Sequence, residues 1–204
     1  MQNRINQRMN FRFTNKMKKV LNTRFLIISG MILLAAASRF LPIAFPAMAN
    51  FSPVGTMALF GGAYFTKKHW AFIIPMVSLW LSNLVLNNVF YTKWYPTFSF
   101  GFETTVFISF ALVVGIGIVF LKKVNIVNLL TANLLGTLGF FFVSNFLVWT
   151  GGKMYTQDFT GLMTCFTMGL PFLKNTLLSN LIFSAIMFGA FEYAQKEVKT
   201  LKLV

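Results

Sequence analysis

The sequence predicts an all-α integral membrane protein, a six-transmembrane-helix bundle with both termini in the cytoplasm. Three observations predict it. First, the 204 residues are 56% hydrophobic and only 11% charged, with a mean hydropathy of +0.68, whereas roughly a quarter of a soluble domain is charged. A soluble chain of this length has too little interior to hide so much apolar surface. Second, six apolar runs can carry helices, at about 25–41, 53–66, 69–90, 104–121, 126–149 and 172–193. All but the second meet or approach the roughly 17–25 residues that a span needs. Third, fourteen of the 18 basic residues fall in alternate segments: the 1–24 tail, the 67–68 and 122–123 turns and the C-terminal tail. The remaining four are Arg39, Lys93, Lys153 and Lys174. The positive-inside rule then places both termini in the cytoplasm and three loops outside.

Residues 1–24 are a basic cytoplasmic extension without a single acid, suited to contact with anionic lipid head groups. The transmembrane domain covers 25–193, and 194–204 form a cytoplasmic tail. The basic start, the first apolar run and Ala35-Ala36-Ala37 imitate a signal peptide. The long basic segment and the helix count favour a retained first helix instead. The net charge of +14 does not point to nucleic acid, because the basic residues flank apolar runs and form no groove.

The stretch from Ser38 to Phe65 organises the rest. Proline at 42, 46 and 53 forces a turn between the first two runs. The second run is short and rich in small residues, Gly55, Ala58, Gly61, Gly62 and Ala63. Such a helix gains little from lipid but lets neighbouring backbones approach, so an inner position in the bundle is expected. The short turns at 67–68 and 122–123 make helices two and three, and four and five, antiparallel hairpins. Phe159–Leu170 is too apolar for water, and interfacial or re-entrant structure is expected there. Small-xxx-small spacings occur at Ala58/Gly62, Ala111/Gly115, Ala132/Gly136 and Ala185/Gly189.

Catalytic constellations are missing from the sequence: one His, four acids, one Cys (Cys165), no HExxH and no phosphate-binding glycine loop. No enzyme and no cofactor or metal site is expected. The polar residues instead gather in the outer halves of the runs. The candidate substrate-binding residues are Arg39, Asn50, Asn83, Asn87, Asn145, Trp149, Asn175 and Ser179. Uncharged amides in lipid need partners, so they serve either as interhelical glue or as the lining of a wet pocket open to the outside. Asn145, Trp149 and Asn175 are expected to line one such cavity. Arg39 should be satisfied by an acid (Glu103 or Asp158), by turn carbonyls or by a ligand anion.

The stretch Asn50 to Phe65, with Ser144-Asn145-Phe146-Leu147-Val148-Trp149, Met154-Tyr155, Gly161-Leu162 and Leu170 to Leu177, resembles an uncharacterised bacterial six-helix membrane family. That family is similar to the S components of energy-coupling-factor (ECF) transporters. The resemblance implies a multi-pass protein of the bacterial cytoplasmic membrane that binds a small vitamin-like solute from outside. Its implied partners are the lipid bilayer, a transmembrane T component and ATPase subunits. Two departures stand out. Ala35–Ala37 are contiguous where many S components carry Ala-x-x-x-Ala, and the chain opens Met1-Gln2, unlike the Met-His start of the nickel and cobalt branches. The alternative function is a non-transporting six-helix scaffold of a cell-envelope or cell-shape complex.

The basic-residue split yields a direct expectation for topology. Reporter fusions after Lys123 and at Val204 should both report a cytoplasmic location; an external signal at either would overturn the six-helix map.

Overall fold

The computed structural model describes residues 23–45, 51–198 and 201. The described residues are helical, with no β-strand among them. Six helices follow in order: α1 (Thr23–Phe40), α2 (Val54–Tyr64), α3 (Lys68–Val85), α4 (Thr104–Phe120), α5 (Ile126–Thr150) and α6 (Phe159–Glu197). The last turn of α1 tightens to 3-10 geometry over Ser38–Phe40, and one α-turn, Leu41–Ala44, follows. α3 continues into a π-helical turn at Leu86–Phe90. α1, α3 with its π-turn, α5 and α6 are each long and apolar enough to cross a membrane, and α4 is a shorter apolar helix. Their outward faces carry large apolar side chains such as Leu34, Ile108, Val119, Leu130 and Ile186. An apolar surface of that extent belongs in lipid.

The centre of the bundle is α2. Its 11 residues span about 16 Å, roughly half the hydrocarbon thickness. Eight of them are buried, including Met57, Leu59 and Phe60, and the helix packs against α3, α4, α5 and α6. Its glycines are what bring the neighbours in. A Cβ on Gly62 would lie 2.8 Å from the Val114 carbonyl oxygen and 2.9 Å from the Gly117 backbone. Conversely, a Cβ on Gly117 would lie 2.9 Å from the Leu59 Cα and oxygen. α2 and α4 therefore meet backbone to backbone. Against α3 the contact falls at Pro75, which has no N–H for the Ala71 carbonyl; that carbonyl faces Gly61, where a Cβ would stand 3.2 Å away.

α1 lies along α3, with Phe25 edge-on to Trp70 at 5.1 Å and Phe40 to Phe90 at 6.0 Å. The basic segments meet at one end of the bundle. There Arg24 of α1 donates to the Tyr64 carbonyl at 3.5 Å and to Gln195 Oε1 of α6 at 2.9 Å, and Lys68 donates to the Gly62 carbonyl at 2.9 Å.

Phe159–Leu170 is the first third of α6, a continuous helix of 39 residues that contains Pro171. Asp158 caps it, accepting from the Gly161 N–H at 2.6 Å. That bond, with the Thr156 hydroxyl, holds the Asp158 carboxyl below its usual pKa. The small-residue pairs also divide. Ala58/Gly62 and Ala132/Gly136 are packed inside the chain, whereas a Cβ on Gly115 or Gly189 would meet nothing within 4 Å.

The α2–α4 contact predicts a sharp asymmetry between glycines. Gly62→Ala should destabilise the protein by about 1–3 kcal/mol, because backbone must move to admit the methyl. Gly115→Ala, on the same helix as Gly117, should stay within about 0.5 kcal/mol of wild type. Thermal unfolding in detergent checks both.

Candidate functional site

Away from the basic end, the bundle encloses a cavity of about 300 Å³. Arg39, Ser52, Gly55, Glu103, Phe140 and Asn180 are among its lining residues, so α1, α2, α4, α5 and α6 all contribute. Each polar group has a structural reason for its position. Arg39 sits in the 3-10 turn that ends α1, where both of its hydrogen bonds leave from Nη1: to the Leu79 carbonyl at 3.2 Å and to the Ser82 hydroxyl. The rest of the guanidinium fork is left for another acceptor. Glu103 precedes α4 but makes no side-chain cap; it accepts instead from the Tyr95 hydroxyl at 3.2 Å. Burial, and then the Glu103 charge, raise the Tyr95 pKa and keep it a donor.

Asn180 is 2% exposed, and its amide lies directly over Gly55, where a Cβ would come within 2.5 Å of it. The Asn180 Nδ2 donates to Thr137 Oγ1 at 3.0 Å, while its Oδ1 has no partner. Ser52 Oγ is buried and equally unpartnered. Two residues that line one cavity thus each carry a buried polar atom without a partner, which costs free energy.

Below the cavity floor a polar chain links three helices. Thr56 Oγ1 donates to the Asn180 carbonyl at 2.9 Å and lies 3.3 Å from Ser184 Oγ, which donates to Asn133 Oδ1 at 3.0 Å. All are nearly fully buried. Asn133 and Thr137 are four residues apart, as are Asn180 and Ser184, so each pair shares a helix face. That spacing was the signal for them, but these residues lie deeper than the outer polar cluster singled out from the sequence.

The room for the cavity comes from a mismatch between α5 and α6. Cys165 Sγ approaches the Asn145 carbonyl at 3.3 Å, and Asn180 pairs with Thr137. Between these crossings α5 advances eight residues and α6 fifteen, an excess of about 10 Å of helical rise. Pro171 falls within that slack and interrupts the helical hydrogen-bond ladder. A second cavity of about 200 Å³, lined by Asn145, Phe172 and Thr176 among others, opens in the same interval and shares Phe140 and Thr176 with the first.

The candidate residues therefore divide. Arg39 lines the larger cavity and Asn145 the smaller. Ser179 lies beside the larger, buried, its hydroxyl donating to the Ser52 carbonyl at 3.0 Å. Asn175 is half-buried on α6, one residue before Thr176. Asn83 and Asn87 serve the loop: Nδ2 of Asn83 donates to the Gly101 carbonyl at 3.1 Å and that of Asn87 to Ser99 Oγ at 3.1 Å. With Asn88 and Trp80 they hold segment 99–101 against α3. Their contribution to the cavity is to position Glu103, two residues further on. Trp149 is likewise occupied by its own loop, its Nε1 donating to the Thr156 carbonyl at 2.9 Å. Asn50 lies outside the described residues. No group of three metal-ligating side chains occurs among the described residues.

With four helices long and apolar enough to cross a membrane, packed round a short buried helix, the chain is a helical bundle with a small-molecule-sized cavity. The chain belongs to DUF6580, a family of unknown function, which it matches over residues 19–201. No curated protein and no solved structure matches it.

The Thr137–Asn180 bond carries a prediction about the floor. Thr137→Val leaves the Asn180 amide without its one side-chain partner and should cost about 1–3 kcal/mol in unfolding experiments. The exposed Thr167→Val should stay within about 0.5 kcal/mol.

Proposed function

We propose that the chain is the solute-binding subunit of an uptake system, similar in role to an ECF S component, and that it takes up a small vitamin-like solute from the external side. The observation that carries this reading is the cavity bounded by Arg39, Glu103, Asn180 and Ser52. A scaffold gains nothing from a 300 Å³ void lined by a cation, a carboxylate, an amide and hydroxyl side chains. A binder gains specificity from it, because a few placed polar groups orient a ligand. Its volume lies at the small end of ligand pockets, which suits one compact molecule. The open part of the Arg39 fork suits an oxyanion on that molecule.

The chain has no nucleotide-binding motif, so uphill transport requires partners, and a transmembrane T component with ATPase subunits fits the resemblance. The exposed small-residue faces at Gly115 and Gly189 are available to such a neighbour.

Mass spectrometry of small molecules retained by the purified protein tests the proposal, combined with two variants of Arg39. A solute bearing an acid group should co-purify with the wild type. Arg39→Lys, which keeps the charge but not the fork, should lower its retention at least tenfold while leaving thermal stability nearly unchanged. Arg39→Gln should abolish retention. Absence of any retained solute, together with unchanged solute uptake in both variants, would favour the scaffold reading.

A further inference from the structure

At the basic end lies a third cavity, of about 340 Å³, between the start of α1, the end of α2 and the start of α3. It is independent of the solute site. Its lining combines two cations, Arg24 and Lys67, with the aromatic residues Phe25, Phe65 and Trp70.

Arg24 is unusual there. It is 4% exposed, and its neighbours supply neutral acceptors: Gln195 Oε1, the Leu201 carbonyl and the Tyr64 carbonyl. Its guanidinium also lies 5.2 Å from the Phe191 ring centroid and 5.8 Å from that of Tyr64. The nearby acid, Glu192, is engaged by the Tyr64 hydroxyl at 2.5 Å and by Gln195 Nε2 at 3.2 Å. One donor of Arg24, Nε, is buried without any partner. A buried cation short of one hydrogen bond, with a lysine beside it, calls for an oxyanion.

The aromatic half decides what carries that oxyanion. A free inorganic anion would leave Phe25, Phe65 and Trp70 facing a void. A lipid has both parts: a charged head and an apolar glycerol–acyl region. The cavity also lies where α1 and α3 begin, at the end of the bundle that gathers the basic turns, the level at which head groups sit.

We propose that this cavity binds the head group of an anionic phospholipid. The phosphate oxygens lie against the Arg24 guanidinium and Lys67, and the glycerol and first acyl carbons pack on Phe25, Phe65 and Trp70.

The test uses the full chain, purified and delipidated in a nonionic detergent. Native mass spectrometry follows titration with phosphatidylglycerol and with phosphatidylcholine of the same acyl chains. Phosphatidylglycerol should bind at least about tenfold more tightly, because phosphatidylcholine, with the same phosphate, brings a quaternary ammonium beside Arg24 and Lys67. Lys67→Gln should reduce that preference about fivefold. Lys196→Gln, at the same end but exposed on the last turn of α6, should leave it unchanged. Arg24→Lys should reduce it further; if that variant fails to fold, the Lys67 and Lys196 pair still decides. Equal affinity for the two lipids would overturn the proposal, as would equal losses in Lys67→Gln and Lys196→Gln, which mark diffuse surface attraction. Displacement of the lipid by millimolar inorganic phosphate would overturn it too, making this a soluble-anion site.

Discussion

The structure depends on one close approach, that of α2 to α4 through Gly62 and Gly117. At these residues two backbones touch where any side chain would collide with a carbonyl or an amide. In lipid there is no hydrophobic drive to hold helices together, so packing of this kind is what association rests on. A short helix with little side-chain bulk would be a poor span alone. Surrounded by α3, α4, α5 and α6, it becomes the post against which the others are placed. Its two ends then fall under the two cavities: Gly55 beneath the Asn180 amide, and Tyr64 beside Arg24.

The polar chemistry follows from that placement. Because α2 ends about half-way across the bundle, the space beyond its first residue is closed by α1, α4, α5 and α6 without a central helix. The slack in α6 between Cys165 and Asn180 widens it. Buried polar side chains are tolerated there only in a connected set, and Thr56, Asn133, Thr137, Asn180 and Ser184 form one. Within the set only Asn180 Oδ1 has no partner, and Ser52 Oγ, on another residue of the cavity lining, has none either.

Much of the fold was legible in the sequence because membrane helices announce themselves by hydropathy and basic flanks. The inner position of α2 was legible too, since its glycines and alanines leave no other use for it. The start of α6 was not. Pro171 reads as a break, yet a proline within a lipid-embedded helix is tolerated where neighbours re-satisfy the freed groups. The site was legible in part. Arg39 was found because a charge at the end of an apolar run needs a partner. Asn83 and Asn87 share its depth and, four residues apart, one helix face, but neither reveals that segment 99–101 folds back onto α3 and takes up their amides. Asn133 and Thr137 were missed for the opposite reason: they lie deep in a run that otherwise looks plain.

The central claim is that a polar cavity, open to the side away from the basic end, sits above a closed core. Single-cysteine labelling with a membrane-impermeant maleimide on intact cells, in a Cys165→Ser background, tests it most directly. Val106 and Val113 are two turns apart on one face of α4; the first lines the cavity and the second is fully packed. Val106→Cys should be labelled from outside and Val113→Cys should not. No labelling of Val106→Cys, or labelling of both positions alike, would contradict it.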